Sequence, residues 1–305
     1  MSLTLIIEQS LNGLQFGLML FLLAAGLTLV FGIMDMINLA HGSLYMVGAF
    51  LTASLVQATG SFALGVVLAI PATAIVGMVL EVTILRQLYA RDHMSQVLAT
   101  FALILISNEA VRMIWGSDMP LSMPAALSGP VELVPGLFYP AYRLLVIVVG
   151  LAVAGLLYVI VTKTRIGMRV RAGASNRAMA TAMGVDIKLL FTVVFGFGAA
   201  LCAVAGALMG PIFAVQVGMG DNILILAFVV IVIGGIGSIR GALIGSVLVG
   251  LVDTFGRAFL PALLRELLPA QFASSLGTAL ASILIYVLMA AVLFWKPQGL
   301  FPARG

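Results

Sequence analysis

Charge is what this chain has least of. Only 9% of its 305 residues are Asp, Glu, Lys or Arg, against 63% hydrophobic, whereas a soluble domain carries roughly 25% charged residues. So few charges cannot cover a globular surface, which excludes an ordinary soluble protein and makes lipid the solvent for much of the chain. Length alone would allow two soluble domains; with this composition, residues 1–305 read as one membrane domain of several spans. The single cysteine, Cys202, excludes an internal disulfide and a cysteine metal cluster. It lies in an apolar run and reads as a small packing residue. The two histidines, His41 and His93, form no metal-ligand pattern. No H-E-x-x-H element and no G-x-x-x-x-G-K-[ST] phosphate loop occurs, so neither zinc hydrolysis nor nucleotide hydrolysis is expected of this chain. Basic residues are absent before Arg86, so the N-terminus lacks the charged region of a cleavable signal.

What is present is long uncharged sequence, at 9–34, 36–80, 144–162, 189–220, 222–239 and 267–295. A span takes about 20 residues, and backbone groups in hydrocarbon must be satisfied within their segment, so these runs predict helices. The 36–80 run is too long for one span and divides near Ala58-Thr59-Gly60-Ser61. The expected fold is an all-α polytopic bundle of eight or nine spans: 10–33, 43–58, 62–85, 96–116, 142–162, 188–214, 222–236, 242–257 and 276–295. Residues 34–45 are ambiguous, either a surface turn or a break inside a helix.

The net charge of +4 comes largely from a few short loops. Arg86 and Arg91 flank one, six basic residues crowd 163–188, and Lys296 and Arg304 mark the C-terminus. This is the positive-inside pattern, which places these loops in the cytoplasm, rather than the footprint of a nucleic-acid partner. The 117–141 connection has Asp118, Glu132, five prolines and no Lys or Arg, and is expected outside.

Residues 163–188 read KTRIGMRVRAGASNRAMATAMGVDIK. Ser175 is a candidate cap for a short helix running to Met183, and Gly184 would end it in a left-handed conformation. Met179 and Met183 share a face, which suits docking into another protein's groove; the simpler reading is a basic loop at the lipid surface. Gly198, Cys202, Gly206 and Gly210 recur every fourth residue, as do Gly237, Gly241 and Gly245, a spacing that lets helix backbones approach closely in lipid. Gly234–Ser238 resembles a dinucleotide loop only faintly, and no strand precedes it. Asn38, His41, Gly42 and Ser43 interrupt apolar sequence; such residues either face a solute route or buttress a turn. Glu109 and Arg112, beside Asn108, are at i and i+3 and can pair on one face near the end of their span. No internal repeat is visible.

Three ordered blocks resemble one family: GLTLVFGIMDMINLAHGSLYMVGAF at 26–50, TRIGMRVRAGASNRAMATAMGVD at 164–186 and GGIGSIRGALIGSVLVG at 234–250, followed by KPQGLF at 296–301. They are similar to the branched-chain amino acid permeases of bacterial ATP-driven importers, of the type with an N-x-A-H-G element, here Asn38 to Gly42. The resemblance implies a permease subunit in a bacterial cytoplasmic membrane, translocating branched-chain or other hydrophobic amino acids. It implies a second homologous permease, two cytoplasmic ATPases that bind the ATP and Mg, and an external solute-binding protein, with no cofactor in this chain. It makes 163–188 the loop that docks on the ATPase, through Arg165, Gly167, Arg169, Arg171, Ala172, Asn176, Ala180 and Gly184. It places Asn38, His41 and Gly42 on the translocation path or its gate, with Gly206, Gly210, Gly237, Gly241 and Gly245 in helix packing. Positions 175 and 176, often acidic in this loop, are Ser and Asn here. Relatives also import urea, short amides or aromatic acids. A reading from another class is an ion-coupled secondary transporter or channel, which would need intramembrane ionisable groups or an inverted repeat. An intramembrane hydrolase built on His41 and Ser43 fails, because neighbours at i and i+2 diverge on a helix.

Overall fold

The computed structural model describes residues 3–266 and 269–301. Arg304 lies outside them. Eleven helices follow one another among the described residues: α1 Leu3–Met34, α2 His41–Thr59, α3 Phe62–Thr83, α4 His93–Trp115, α5 Ala141–Lys163, α6 Arg165–Ser175, α7 Arg177–Ala182, α8 Ile187–Phe213, α9 Met219–Gly234, α10 Ile239–Leu264 and α11 Ala270–Trp295. The helical bundle expected from the sequence is present. The 117–141 connection holds strands β1 Asp118–Met119, β2 Pro130–Val134 and β3 Leu137–Pro140. β2 and β3 form a hairpin, while β1 pairs antiparallel with β4, Val215–Gln216.

Seven helices are long and apolar enough to cross a membrane: α1, α3, α4, α5, α8, α10 and α11. The two other expected spans, 43–58 and 222–236, are α2 and α9, and both start inside the bundle. Six helices carry side-chain caps: Ser61, Asp92, Thr164, Asn176, Asp186 and Ser238 each accept from a backbone N–H in the first turn, while α5 and α11 start from Pro140 and Pro269 without one. Such a cap contributes about 1 kcal/mol. α2, from Ala40, and α9, from Gly218, also start without a side-chain cap. Gly60, at φ 67°, ends α2 where the sequence divides.

Close contacts, many at glycines, fix the relative senses of α1, α2, α3, α8 and α10. Gly13 meets Gly250 and Leu251, and a Cβ at Gly17 would lie 2.7 Å from the Ser246 carbonyl, so α1 and α10 run antiparallel. Gly77 meets Ala199 and Gly196 meets Met78, so α3 and α8 do the same. His41 touches Cys202, and Gly206 packs on Tyr45 and Ala49, so α2 runs with α8. Gln15 reaches Met209 while Gly26 meets Gly198, so α1 opposes α8. The order long helix, break, short helix, long helix therefore occurs twice, as α1–α2–α3 and as α8–α9–α10, in opposite senses.

One end of the bundle carries the turn at 84–92, α6, α7, the 235–238 loop and the tail at 296–301; it is called the basic end here. There the tail folds back on α9: Leu300 and Phe301 donate their N–H groups to the carbonyls of Ile233 and Gly234. These are among the last four carbonyls of α9, which no helical bond can satisfy.

Candidate functional site

The ambiguous stretch at 34–45 is a break. α1 ends at Met34, yet His41 packs against Gly26, eight residues back. At 1.5 Å per residue the chain has re-entered the bundle by about 12 Å. Asp35 makes the reversal at φ 51°; Asp is among the few residues that tolerate this region. The Asn38 side chain accepts from the Ala40 N–H at 3.0 Å and shapes the turn into α2. His41 is fully buried, with Nε2 3.1 Å from Cys202 Sγ, edge-on to Phe195. Cys202 is thus a packing residue, as expected, and also a neighbour of His41. Around the break, Thr28 Oγ1, Asn38 Nδ2 and Ser43 Oγ are buried with no hydrogen-bond partner among the described residues. Leaving such a group unmade costs about 1–3 kcal/mol.

The second break runs from Ala214 to Gly218. Ala214 is the only other non-glycine residue at positive φ among the described ones, at φ 65° and ψ 151°. The chain then passes through β4, Gly218 donates to Met46 Sδ, and α9 begins. The first turns of α2 and α9 cross at Gly42 and Gly220, where a Cβ on Gly42 would lie 2.6 Å from the Gly220 carbonyl. Only glycine permits this approach. Nearby, Asn108 on α4 reaches Asp221 at 3.5 Å. Glu109 and Arg112 pair at 3.3 Å on an exposed face, away from this contact.

At the basic end the 163–188 segment forms two helices rather than one. α6 was not foreseen, and the cap of α7 is Asn176, which accepts from Met179 N, rather than Ser175. Gly184 is left-handed at φ 86°, as its position predicts. Arg165, Arg169, Arg171, Ala172, Asn176 and Gly184 are exposed. Gly167 and Ala180 are buried: a Cβ on Gly167 would strike the carbonyls of Ile160 and Val161 at the end of α5, and Ala180 faces inward. These two set the angle of the segment and are not part of its outer face. That face is apolar at Met179 and Met183, 62% and 79% exposed.

Beneath it lies a cluster that sequence reasoning missed. The fully buried Glu81 accepts from Arg86 Nη2 at 3.0 Å, Tyr89 OH at 2.7 Å and Thr192 Oγ1 at 2.6 Å, joining α3 to α8. Burial and the Glu81 carboxylate push the Tyr89 phenol above its ordinary pKa, so it remains a donor. The Glu81–Arg86 spacing of five is not a helical i,i+4 pair, so the pairing rule did not find it. Between α1, α5, α6 and the 236–240 loop lies a cavity of 870 Å³, lined in part by Thr28, Asp35, Tyr158, Arg171 and Arg240.

The packing glycines separate by place. Gly206 approaches Tyr45 and Ala49, and Gly210 approaches Leu121 and Val215. Gly241 and Gly245 press α10 onto Gly234 and Val230 of α9. Gly237 shares their spacing but not their helix: it lies in the preceding turn at φ 80°, against Gly32. Among the described residues no group of three or more His, Cys, Asp or Glu could hold a metal ion.

Comparison with known proteins gives one family. Residues 9–293 match the family described as branched-chain amino acid transport system / permease component. The high-affinity branched-chain amino acid transport system permease protein BraD of Pseudomonas aeruginosa is 29% identical over 307 residues, covering 96% of this chain and 95% of that protein. The corresponding protein LivH of Escherichia coli K12 is 29% identical, with 83% and 87% coverage. The probable permease LivH of Methanocaldococcus jannaschii is 27% identical, with 92% and 88% coverage. No solved structure matches the chain significantly.

Proposed function

We propose a function for this chain on the ground that it belongs to the family of branched-chain amino acid transport system permease components. It is the membrane-spanning subunit of an ATP-driven importer in the bacterial cytoplasmic membrane, carrying branched-chain or related hydrophobic amino acids inward. The basic end faces the cytoplasm, as the positive-inside rule requires. Two ATPases dock there on α6 and α7 and hold the ATP and Mg; a second homologous permease completes the pathway, and an extracytoplasmic binding protein delivers the solute. The observation that carries this reading is the pairing of an exposed, Met-bearing basic segment with a polar helix break one helix away. Asn38, His41 and Gly42 gate the solute, since unpartnered buried polar atoms at membrane depth are costly unless something polar visits them. The same site would accept urea, short amides or aromatic acids, if the binding protein selects them.

A second reading has one observation in its favour. The two halves run in opposite senses, and inverted repeats are common in ion-coupled secondary transporters. Reconstitution in liposomes separates the two. Uptake is expected to need the second permease, the ATPases with ATP on the cytoplasmic side, and binding protein on the other. Uphill uptake by this chain alone, driven by a proton or sodium gradient, would overturn the importer reading.

A further inference from the structure

The last carbonyls of α1 face the break that α1 opens, and one of them has a side-chain donor from far along the chain. Arg177, the first residue of α7, donates Nε–H to the Ile33 carbonyl at 3.1 Å. Ile33 is two residues before Asp35, where the chain reverses at φ 51°. The same guanidinium lies 5.6 Å over the ring of Phe191, in the first turns of α8. Phe191 in turn meets Tyr89 edge-on, with ring centroids 5.3 Å apart. The Tyr89 hydroxyl binds Glu81 and lies 3.7 Å from Met34 Sδ, the last residue of α1.

We propose that Arg177 is the positioning residue through which α7 sets the end of α1 and the start of α8, and thereby both walls of the break. α1 leads directly into Asp35 and Asn38. α8 carries Gly198 and Cys202, which face His41. One side chain therefore touches both helices that enclose the polar residues, from a helix whose outer face is Met179. α7 has only six residues and is capped at Asn176, so Arg177 and Met179 move as one body. Arginine suits the place for two reasons. Its Nε–H donates in the guanidinium plane, while the flat face of that plane stacks on an aromatic ring. Lysine would keep the charge and a donor but not both contacts at once. The inference rests on the reading that α6 and α7 receive the ATPase.

The test uses the complete importer in liposomes, with leucine as the solute, and reads leucine imported per ATP hydrolysed. For Arg177→Ala the ATPase is expected to bind and to hydrolyse ATP, while leucine per ATP falls roughly tenfold or more, as expected for loss of a charged hydrogen bond and a ring contact. Arg177→Lys is expected to fall between wild type and Ala. Phe191→Leu is expected to lower the same ratio, and the Arg177→Ala, Phe191→Leu pair to lose no more than the worse single variant, because the two act through one contact. An unchanged ratio in both Ala and Lys variants, with uptake and ATP turnover falling only as the yield falls, would make Arg177 a mere cap of α1 and overturn the proposal. Losses that simply add in the double variant would overturn it too. If instead Met179→Asp with Met183→Asp leaves ATPase binding intact, the docking reading itself has failed, whatever Arg177 does.

Discussion

The two breaks do similar work with different materials. Each opens with a non-glycine residue at positive φ, and each returns the chain to the crossing of Gly42 and Gly220. The break at 35–40 is polar: Asp35 turns it, Asn38 shapes it, and Thr28 and Ser43 beside it have no partner among the described residues. It is tied at the basic end by Arg177. The break at 214–218 is mostly apolar, turned by a strained alanine and held at the opposite end by the pairing of Val215 and Gln216 with Met119 and Asp118. One break is thus anchored to α7, in the segment proposed to receive the ATPase, and the other to the loop region at the opposite end. If α7 is driven as proposed, the contrast predicts different duties: the polar break moves with α7, and the apolar one holds a fixed frame.

The strongest challenge to that contrast is bulk at the shared crossing. Gly42→Leu or Gly220→Leu forces the first turns of α2 and α9 apart at a backbone-to-backbone contact, so assembled protein should be largely lost from the membrane, beyond the roughly 1–3 kcal/mol of ordinary overpacking. Normal yield and uptake in both would mean the breaks are not joined there. Next in size is Arg86→Met. It leaves the buried Glu81 carboxylate without its cation, and breaking a buried pair costs about 3–5 kcal/mol. Because Arg86 is partly exposed, the reverse change, Glu81→Gln, should cost less. Thermal unfolding in detergent compares the two, and equal losses would count against the assigned burial.

Labelling sharpens the comparison at smaller scale. In a Cys202→Ala background, cysteine at position 38 should react with a small polar thiol reagent at a rate that changes several-fold with nucleotide state, since a binding-competent minority state sets the apparent rate. Cysteine at 216, in β4, should react alike in every state. Equal behaviour at the two positions would remove the mobile-versus-fixed distinction. The smallest effect concerns strain. Ala214 occupies a region that is nearly glycine-only, at a cost of order 1–3 kcal/mol, whereas glycine loses about 0.4–1 kcal/mol through the unfolded chain. Ala214→Gly should therefore raise stability by about 1 kcal/mol. Asp35→Gly should change it by less, because Asp already tolerates its place.

Much of this was legible in the sequence. Apolar run length located the helices, most ends to within three residues but the start of α1, the end of α10 and the start of α11 only to within about seven; the Gly60-Ser61 division marked the α2–α3 turn, and Gly184 announced its own left-handed conformation. Asn38 and His41 stood out because polarity is rare in such a run. The rest depends on distance and shape. Nothing local shows that α2 and α9 begin inside the bundle, since an apolar helix reads the same wherever it starts. Ala214 carries no mark of its strain. The reversed halves escaped notice because lipid-embedded contacts require small residues at given depths, not a repeated string. Glu81 lies in an apolar helix, and its partners Arg86, Tyr89 and Thr192 converge only after α3 and α8 have packed. Arg177 looked like one more basic residue in a basic loop.

The tail contact at α9 has a consequence for the order in which the protein is made. Leu300 follows Ile233 by 67 positions in the chain. Synthesis therefore delivers α9 to the membrane with its last carbonyls open, and they stay open until α10 has crossed, α11 has crossed back, and residues 296–301 have come round. The short helix that meets α2 at the crossing is completed only when this late segment arrives. Closure of the Leu300–Ile233 and Phe301–Gly234 bonds therefore depends on correct insertion: a chain in which α10 or α11 had gone in with the wrong orientation would carry its tail to the wrong side and leave α9 unsealed.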